Sequence, residues 1–191
     1  MNQSLMIVIA VVVIALLILA AVLISRRRRS QRLKAHFGRE YDRAVEEKGS
    51  RAKAEADLAD REKRVEKLDI RPLDSAERRK LLEDWTQVQA RFVDDPRRAV
   101  AFADALVGDV MKARGYPVND FEQRAGDISV DHPIVVEHYR AAHEIAVRDH
   151  AGKASTEDLR QAMIHYRALF DNLVGVEAPG SRERERAQQD V

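Results

Sequence analysis

The stretch STEDLRQAMIHYRALFDNLVG, Ser155–Gly175, decides the fold class. Leu159, Met163, Tyr166, Phe170 and Leu173 recur at alternating steps of four and three residues, which puts them on one face of a helix with 3.6 residues per turn. Ser155 followed by Asp158 is a capping pair at the start, and Gly175 is a stop, because glycine takes the left-handed conformation that ends a helix. A segment with this period and these ends is an amphipathic helix that needs other helices to cover its apolar stripe.

Moving back along the chain, the same pattern repeats. Asp74 with Glu77 resembles a capping box, and Leu81, Trp85, Val88 and Phe92 make one stripe. Asp95 before Pro96 is an N-cap followed by proline at the first helical position, and Val100, Ala103, Val107 and Val110 follow before Gly115. Between Gly115 and Pro133 the pattern predicts a structured connection, with a short helix capped by Asn119 and Glu122. Asp131 or His132 then begins another helix, carrying Val135, Tyr139, Ala142 and Ala146 and ending near Gly152. No strand-like alternation occurs anywhere in this region. The expected fold is therefore all-α, with a four-helix-bundle-like domain over residues 72–175.

The N-terminal part reads differently. Every residue from Leu5 to Ile24 is Ala, Val, Ile, Leu or Met, and twenty helical residues span about 30 Å, the thickness of a bilayer's hydrocarbon. Most are Leu, Ile or Val, so insertion is favoured by roughly 5 to 9 kcal/mol. A cleavable signal peptide fits less well, since Met1–Ser4 carries no basic residue and no small-x-small site follows the run. The expectation is a transmembrane helix over 5–24, a short extracytoplasmic N-terminus over 1–4, and a basic juxtamembrane collar over 25–34. Arg26, Arg27, Arg28, Arg29, Arg32 and Lys34 form that collar with no acidic residue among them. Basic residues beside a span are retained on the cytoplasmic side, so the domain is expected in the cytoplasm of a plasma-membrane protein. The same side chains are candidates for contact with anionic headgroups. Small residues at a four-residue spacing, which would encode a close helix dimer, are missing from the span.

Residues 35–71 lack proline until Pro72 and are rich in Ala, Glu, Lys and Arg, which predicts a long, charged, helical stalk. Phe37, Tyr41, Ala44 and Val45 form one sparse stripe, and Ala54, Leu58, Val65 and Leu68 another, with Gly49 and Ser50 between them. A coiled-coil frame through Phe37, Ala44, Leu58 and Val65 puts Lys48, Glu55 and Glu62 in the seam, so only weak self-association is expected, and the stalk is either two helices meeting near Gly49 or one helix that packs partly on the domain beyond it. Residues 176–191 are polar, with Pro179, Gly180 and alternating Arg and Glu. That composition predicts a disordered tail.

Charge and composition exclude several classes. The chain's net charge is +1, but the collar carries +6 and the remaining 27 basic against 32 acidic residues leave −5, the wrong distribution for a nucleic-acid-binding domain. The absence of cysteine removes disulfides, thiolate metal sites and a cysteine nucleophile. Of the six histidines, His132, His138, His143, His150 and His165 fall close together in sequence. His143-Glu144 begins like a zinc motif whose second histidine would stand at Val147, and Arg140 and Val147 occupy the places a di-iron pattern would need as histidine. Structural histidines are the preferred reading. Asp94 and Asp95 read as a cap, and Trp85 as a core anchor. No phosphate loop, nucleophile elbow or dinucleotide fingerprint is found, so no catalytic, cofactor or metal residue is assigned.

Three strings, VQARFVDDP (Val88–Pro96), RGYPVNDFEQRAGDISVDHP (Arg114–Pro133) and TEDLRQAMIHYRALF (Thr156–Phe170), resemble an uncharacterised family of bacterial single-pass membrane-anchored helical proteins. The resemblance covers about residues 37–173 and implies bacterial origin without an assigned activity. The functional expectation is a membrane-tethered helical module that presents a cytoplasmic surface to a protein partner. The alternative is a ligand- or metal-sensing domain using residues 116–133 and the nearby histidines.

Overall fold

In a computed structural model, which describes residues 3–175 apart from the side chains of residues 3–11 and of Ala15, the chain is all-helical. Its elements are α1 (Gln3–Phe37), α2 (Arg39–Lys48), α3 (Arg51–Val65), α4 (Ser75–Arg91), α5 (Pro96–Ala113), α6 (Phe121–Asp131), α7 (Val136–His150) and α8 (Thr156–Val174). No strand is found among the described residues. The expected tail at 176–191 lies outside them. Two compact units divide at Ala59 and Asp60, inside α3, whereas the sequence suggested a boundary at 72.

In the first unit, α1 continues unbroken through the apolar run and the basic collar to Phe37. Among the described residues, no helix is long and apolar enough to cross a membrane; part of the Leu5–Ile24 run consists of residues whose side chains are not described. The stalk is not a single rod. Gly38 and Gly49 hold φ of 53° and 64°, a left-handed geometry open to glycine at little cost, and each interrupts the helix. Phe37, Tyr41 and Ala44 are buried, as are Leu33, Ala54 and Leu58. The Tyr41 hydroxyl donates to Glu55 Oε1 at 2.8 Å, and Lys48 Nζ lies 3.3 Å from Asp57. Both contacts tie α2 to α3, so the sparse stripes serve local packing.

The second unit is a helical bundle whose stripes match the periodicity. α8 packs against α5 and α7, and α4 against α5. Leu159, Met163, Tyr166, Phe170 and Leu173 of α8 are buried, and Trp85 of α4 stacks on Phe170 at 4.7 Å between ring centroids. Each such large apolar side chain contributes about 1.5–3 kcal/mol on burial. Asp74–Glu77 and Ser155–Asp158 form reciprocal capping boxes, Asp95 caps α5 ahead of Pro96, and Gly175 closes α8 in the left-handed conformation.

Two helix starts differ from the sequence reading. The cap of α6 is Asp120, whose carboxylate accepts from Gln123 N at 3.0 Å, one residue beyond the expected Asn119. α7 starts at Val136 with no side-chain cap. Asp131 is engaged elsewhere, accepting from the Tyr116 hydroxyl at 2.6 Å, and the His132 N–H donates to Ile128 O at 2.8 Å, closing α6. The residues expected to open one helix instead finish the one before it.

Candidate functional site

Two surfaces qualify, one in each unit. The first is the collar on α1. Arg26, Arg27, Arg28, Arg29, Arg32 and Lys34 are all exposed, directly after a stretch of α1 that exposes Val12, Val13, Ile14, Leu16, Leu17, Ile18, Leu19, Val22, Leu23 and Ile24 by 43% to 64%. Consecutive residues on a helix point 100° apart, so Arg26–Arg29 surround the axis rather than form a stripe. Leu33 and Phe37 are buried on the other side of the following turns, and Lys34 reaches Asp42 at 3.5 Å. This arrangement can attract an anionic surface at about 1 kcal/mol per basic side chain. It holds no group suited to bond chemistry.

The second surface is an open groove of about 620 Å³ in the bundle unit, where the end of α3 meets the ends of α5 and α6. Val65, Leu68 and Ile70 form an apolar wall, and Arg114, Asp131 and His132 bring polar groups to it. Arg114 donates from Nη1 to Leu173 O at 3.2 Å and lies 3.3 Å from His132 Nε2. Burial, helped by the Arg114 charge, holds His132 below the usual histidine range, so its ring is neutral at pH 7 and its nitrogen can accept from arginine. Burial and then the Asp131 carboxylate push the Tyr116 hydroxyl well above its ordinary value.

Beside the groove, α3 is clipped to α6 by groups the sequence reading did not single out. Asp127 is fully buried, and its Oδ1 accepts from Arg64 Nε and Nη2, both at 2.7 Å. Its Oδ2 is buried without a hydrogen-bond partner among the described residues. Arg61 lies over Gly126, with Nε 3.5 Å from the point a Cβ would occupy, and donates to Ser129 Oγ at 3.5 Å. A carboxylate between the buried Ala125 and Ile128 was the available signal, since a charge on an apolar face needs a partner.

The histidines are dispersed. His143 stacks on Phe121 at 3.5 Å between centroids, and burial holds it below the usual range. His138 Nδ1 and His165 Nδ1 are 2.9 Å apart across α7 and α8. His150 is exposed at the end of α7, and His36 packs edge-on to Phe37. Among the described residues, no group of three or more His, Cys, Asp or Glu could hold a metal ion. Asp104 accepts from the Tyr166 hydroxyl at 3.1 Å, and the Tyr139 hydroxyl is buried without a hydrogen-bond partner among the described residues. Burial, followed by the Asp104 charge, raises both tyrosines. Neutral phenols in a core are structural groups, and they add nothing reactive to the groove.

Comparison with known proteins adds no outside assignment: no family model, no curated protein and no solved structure matches this chain.

Proposed function

We propose that the chain is a membrane-tethered helical module: the apolar run of α1 anchors it in a bilayer, the collar lies at the cytoplasmic surface, and the bundle unit offers a helical face to a protein partner. The observation that carries this reading is the exposed apolar girth of α1, from Val12 to Ile24, immediately followed by Arg26–Arg29. Left in water, that surface would be a strong aggregation hazard. In a bilayer it is matched to its solvent. The collar then sets direction, since basic residues flanking a span stay on the cytoplasmic side. Membership of a bacterial family of anchored helical proteins belongs to the same proposal.

Protease added to intact cells that carry a C-terminal tag tests the orientation. The tag is expected to survive until the cells are lysed; loss without lysis contradicts the cytoplasmic placement. Crosslinking of the full chain in membranes, followed by capture, tests the partner. A reproducible crosslinked species that disappears on mutation of exposed bundle residues supports the reading, and its absence counts against it.

A second reading is favoured by one observation, the groove with Arg114 and the neutral His132 at its edge. There the bundle unit senses a small ligand. A ligand-dependent rise in melting temperature, lost in Arg114→Gln, supports it. An unchanged response in that variant removes it.

A further inference from the structure

The pair formed by His138 and His165 lies outside both surfaces described above. We propose that it is an open two-histidine site for a divalent transition-metal ion of the copper or nickel type, with water completing the coordination. Both rings are partly exposed, so an ion can reach them. Their Nδ1 atoms are 2.9 Å apart and their ring centroids 5.2 Å apart. Two nitrogens in adjacent corners of a tetragonal site, at about 2.0 Å from the metal, are about 2.8 Å apart. The corresponding separation in a tetrahedral zinc site is about 3.3 Å. Either geometry is reached by a shift of a few tenths of an ångström from the hydrogen-bonded pair, and among divalent ions copper binds a given nitrogen site most tightly.

The rings are carried by facing positions of α7 and α8, helices that pack directly on each other. Their separation is thus set by the bundle and not by a loop, which lowers the cost of bringing two ligands together. A metal ion binds the neutral form of an imidazole. In the free protein one Nδ1–H donates to the other Nδ1. On binding, the donating ring gives up its Nδ1 proton and takes one at Nε2 by exchange with water. Both Nδ1 lone pairs then turn to the ion. Among the described residues, no third His, Asp or Glu completes a closed site, so exchangeable positions are left to solvent, as in sites that bind reversibly.

The test uses the full chain in detergent micelles, without a polyhistidine tag, titrated with copper(II) chloride. Electron paramagnetic resonance should show an axial spectrum with superhyperfine splitting from two equivalent nitrogens at one ion per chain. His138→Gln and His165→Gln should each weaken binding by at least about tenfold, the scale of losing a determinant of metal affinity. His150→Gln should leave binding unchanged. Circular dichroism of each variant separates loss of a ligand from loss of the fold, and the nitrogen count on the native chain does not depend on any variant. A spectrum with one nitrogen or none, or an affinity indifferent to both His138 and His165 in folded variants, overturns the proposal and leaves the pair as a hydrogen bond only.

Discussion

α1 and α8 are both long helices with apolar residues along their length, and they differ in where those residues point. α8 concentrates Leu159, Met163, Tyr166, Phe170 and Leu173 on one buried face while exposing Glu157, Arg160 and Ile164. Among the described side chains from Val12 to Ile24, α1 carries apolar groups on every side, all of them exposed. A stripe selects another helix as its partner, because one face can be covered by one neighbour. A full apolar girth cannot be covered by a helix pair at all, and is matched by a solvent of the same polarity. Residue content already separates the two, since Leu5–Ile24 holds no charged residue, and angular distribution says what each can pack against.

Charges at equivalent depths break the comparison most strongly. Leu16→Arg with Leu19→Arg should cost roughly 5–7 kcal/mol of insertion and move the full chain from the membrane fraction to the soluble or aggregated fraction on a density gradient. Ile164→Lys on the open side of α8 should change stability by less than about 0.5 kcal/mol, read from a denaturant midpoint in micelles. If both regions tolerate charge equally, the distinction fails.

The buried face of α8 is tested next. Phe170→Ala removes the ring stacked on Trp85 and should destabilise the bundle unit by about 3–5 kcal/mol, seen as a lower midpoint and loss of near-ultraviolet signal. The same change at Leu17, exposed on α1, should leave that midpoint alone. Arg64→Ala leaves the Asp127 carboxylate buried without its cation. Breaking a fully buried pair costs about 3–5 kcal/mol, and the loss here should fall to about 2–3 kcal/mol because Arg64 is partly exposed. Arg64→Ala with Asp127→Leu should recover most of it, which a double-mutant comparison of melting temperatures checks.

The smallest effects concern caps and pH, and they belong to the bundle unit. Ser155→Ala should cost about 1 kcal/mol by opening the capping box of α8. His132, His143 and His165 are all held below the ordinary value of 6.5, chiefly by burial. The unfolded chain therefore takes up protons first, and stability should be full above pH 6.5 and decline as the pH falls below it. Glu77 is lowered from 4.5 to about 2 by Arg71 and by the Asp74 N–H. Glu157 is likewise lowered to about 2, by Arg160 and Gln161. Their contributions are present above 4.5 and lost as the pH falls through about 2. Melting temperature against pH should show two successive declines, of which the upper one disappears in a variant with all three histidines replaced by Gln.

Much of this fold was legible because its determinants are local. The stripes of α4, α5 and α8, their capping pairs and the stop at Gly175 lie within a few turns of the residues they govern. The cap of α6 was misplaced by one residue because Asn119 and Asp120 both carry suitable acceptors, and backbone geometry chooses between them. The start of α7 was missed because Tyr116 recruits Asp131 from outside the segment. Contacts between distant positions left no mark in the sequence pattern. Arg64 and Asp127 are 63 positions apart, and His138 and His165 are 27 apart on separate helices; spacing rules for single helices cannot see either pair. The collar was legible as a charge run, and its exposure on α1 adds that it surrounds the helix axis.

The chain contains no cysteine, so a single introduced cysteine can carry a nitroxide without background. The most direct measurement compares Leu17→Cys with Ile164→Cys, each spin-labelled in the full chain reconstituted into lipid bilayers, by relaxation with oxygen and with a water-soluble nickel complex. The label at 17 should be relaxed by oxygen and shielded from nickel, whereas the label at 164, on an exposed position, should be open to the nickel complex. Equal access of the nickel complex to both positions would contradict the proposed anchoring of α1.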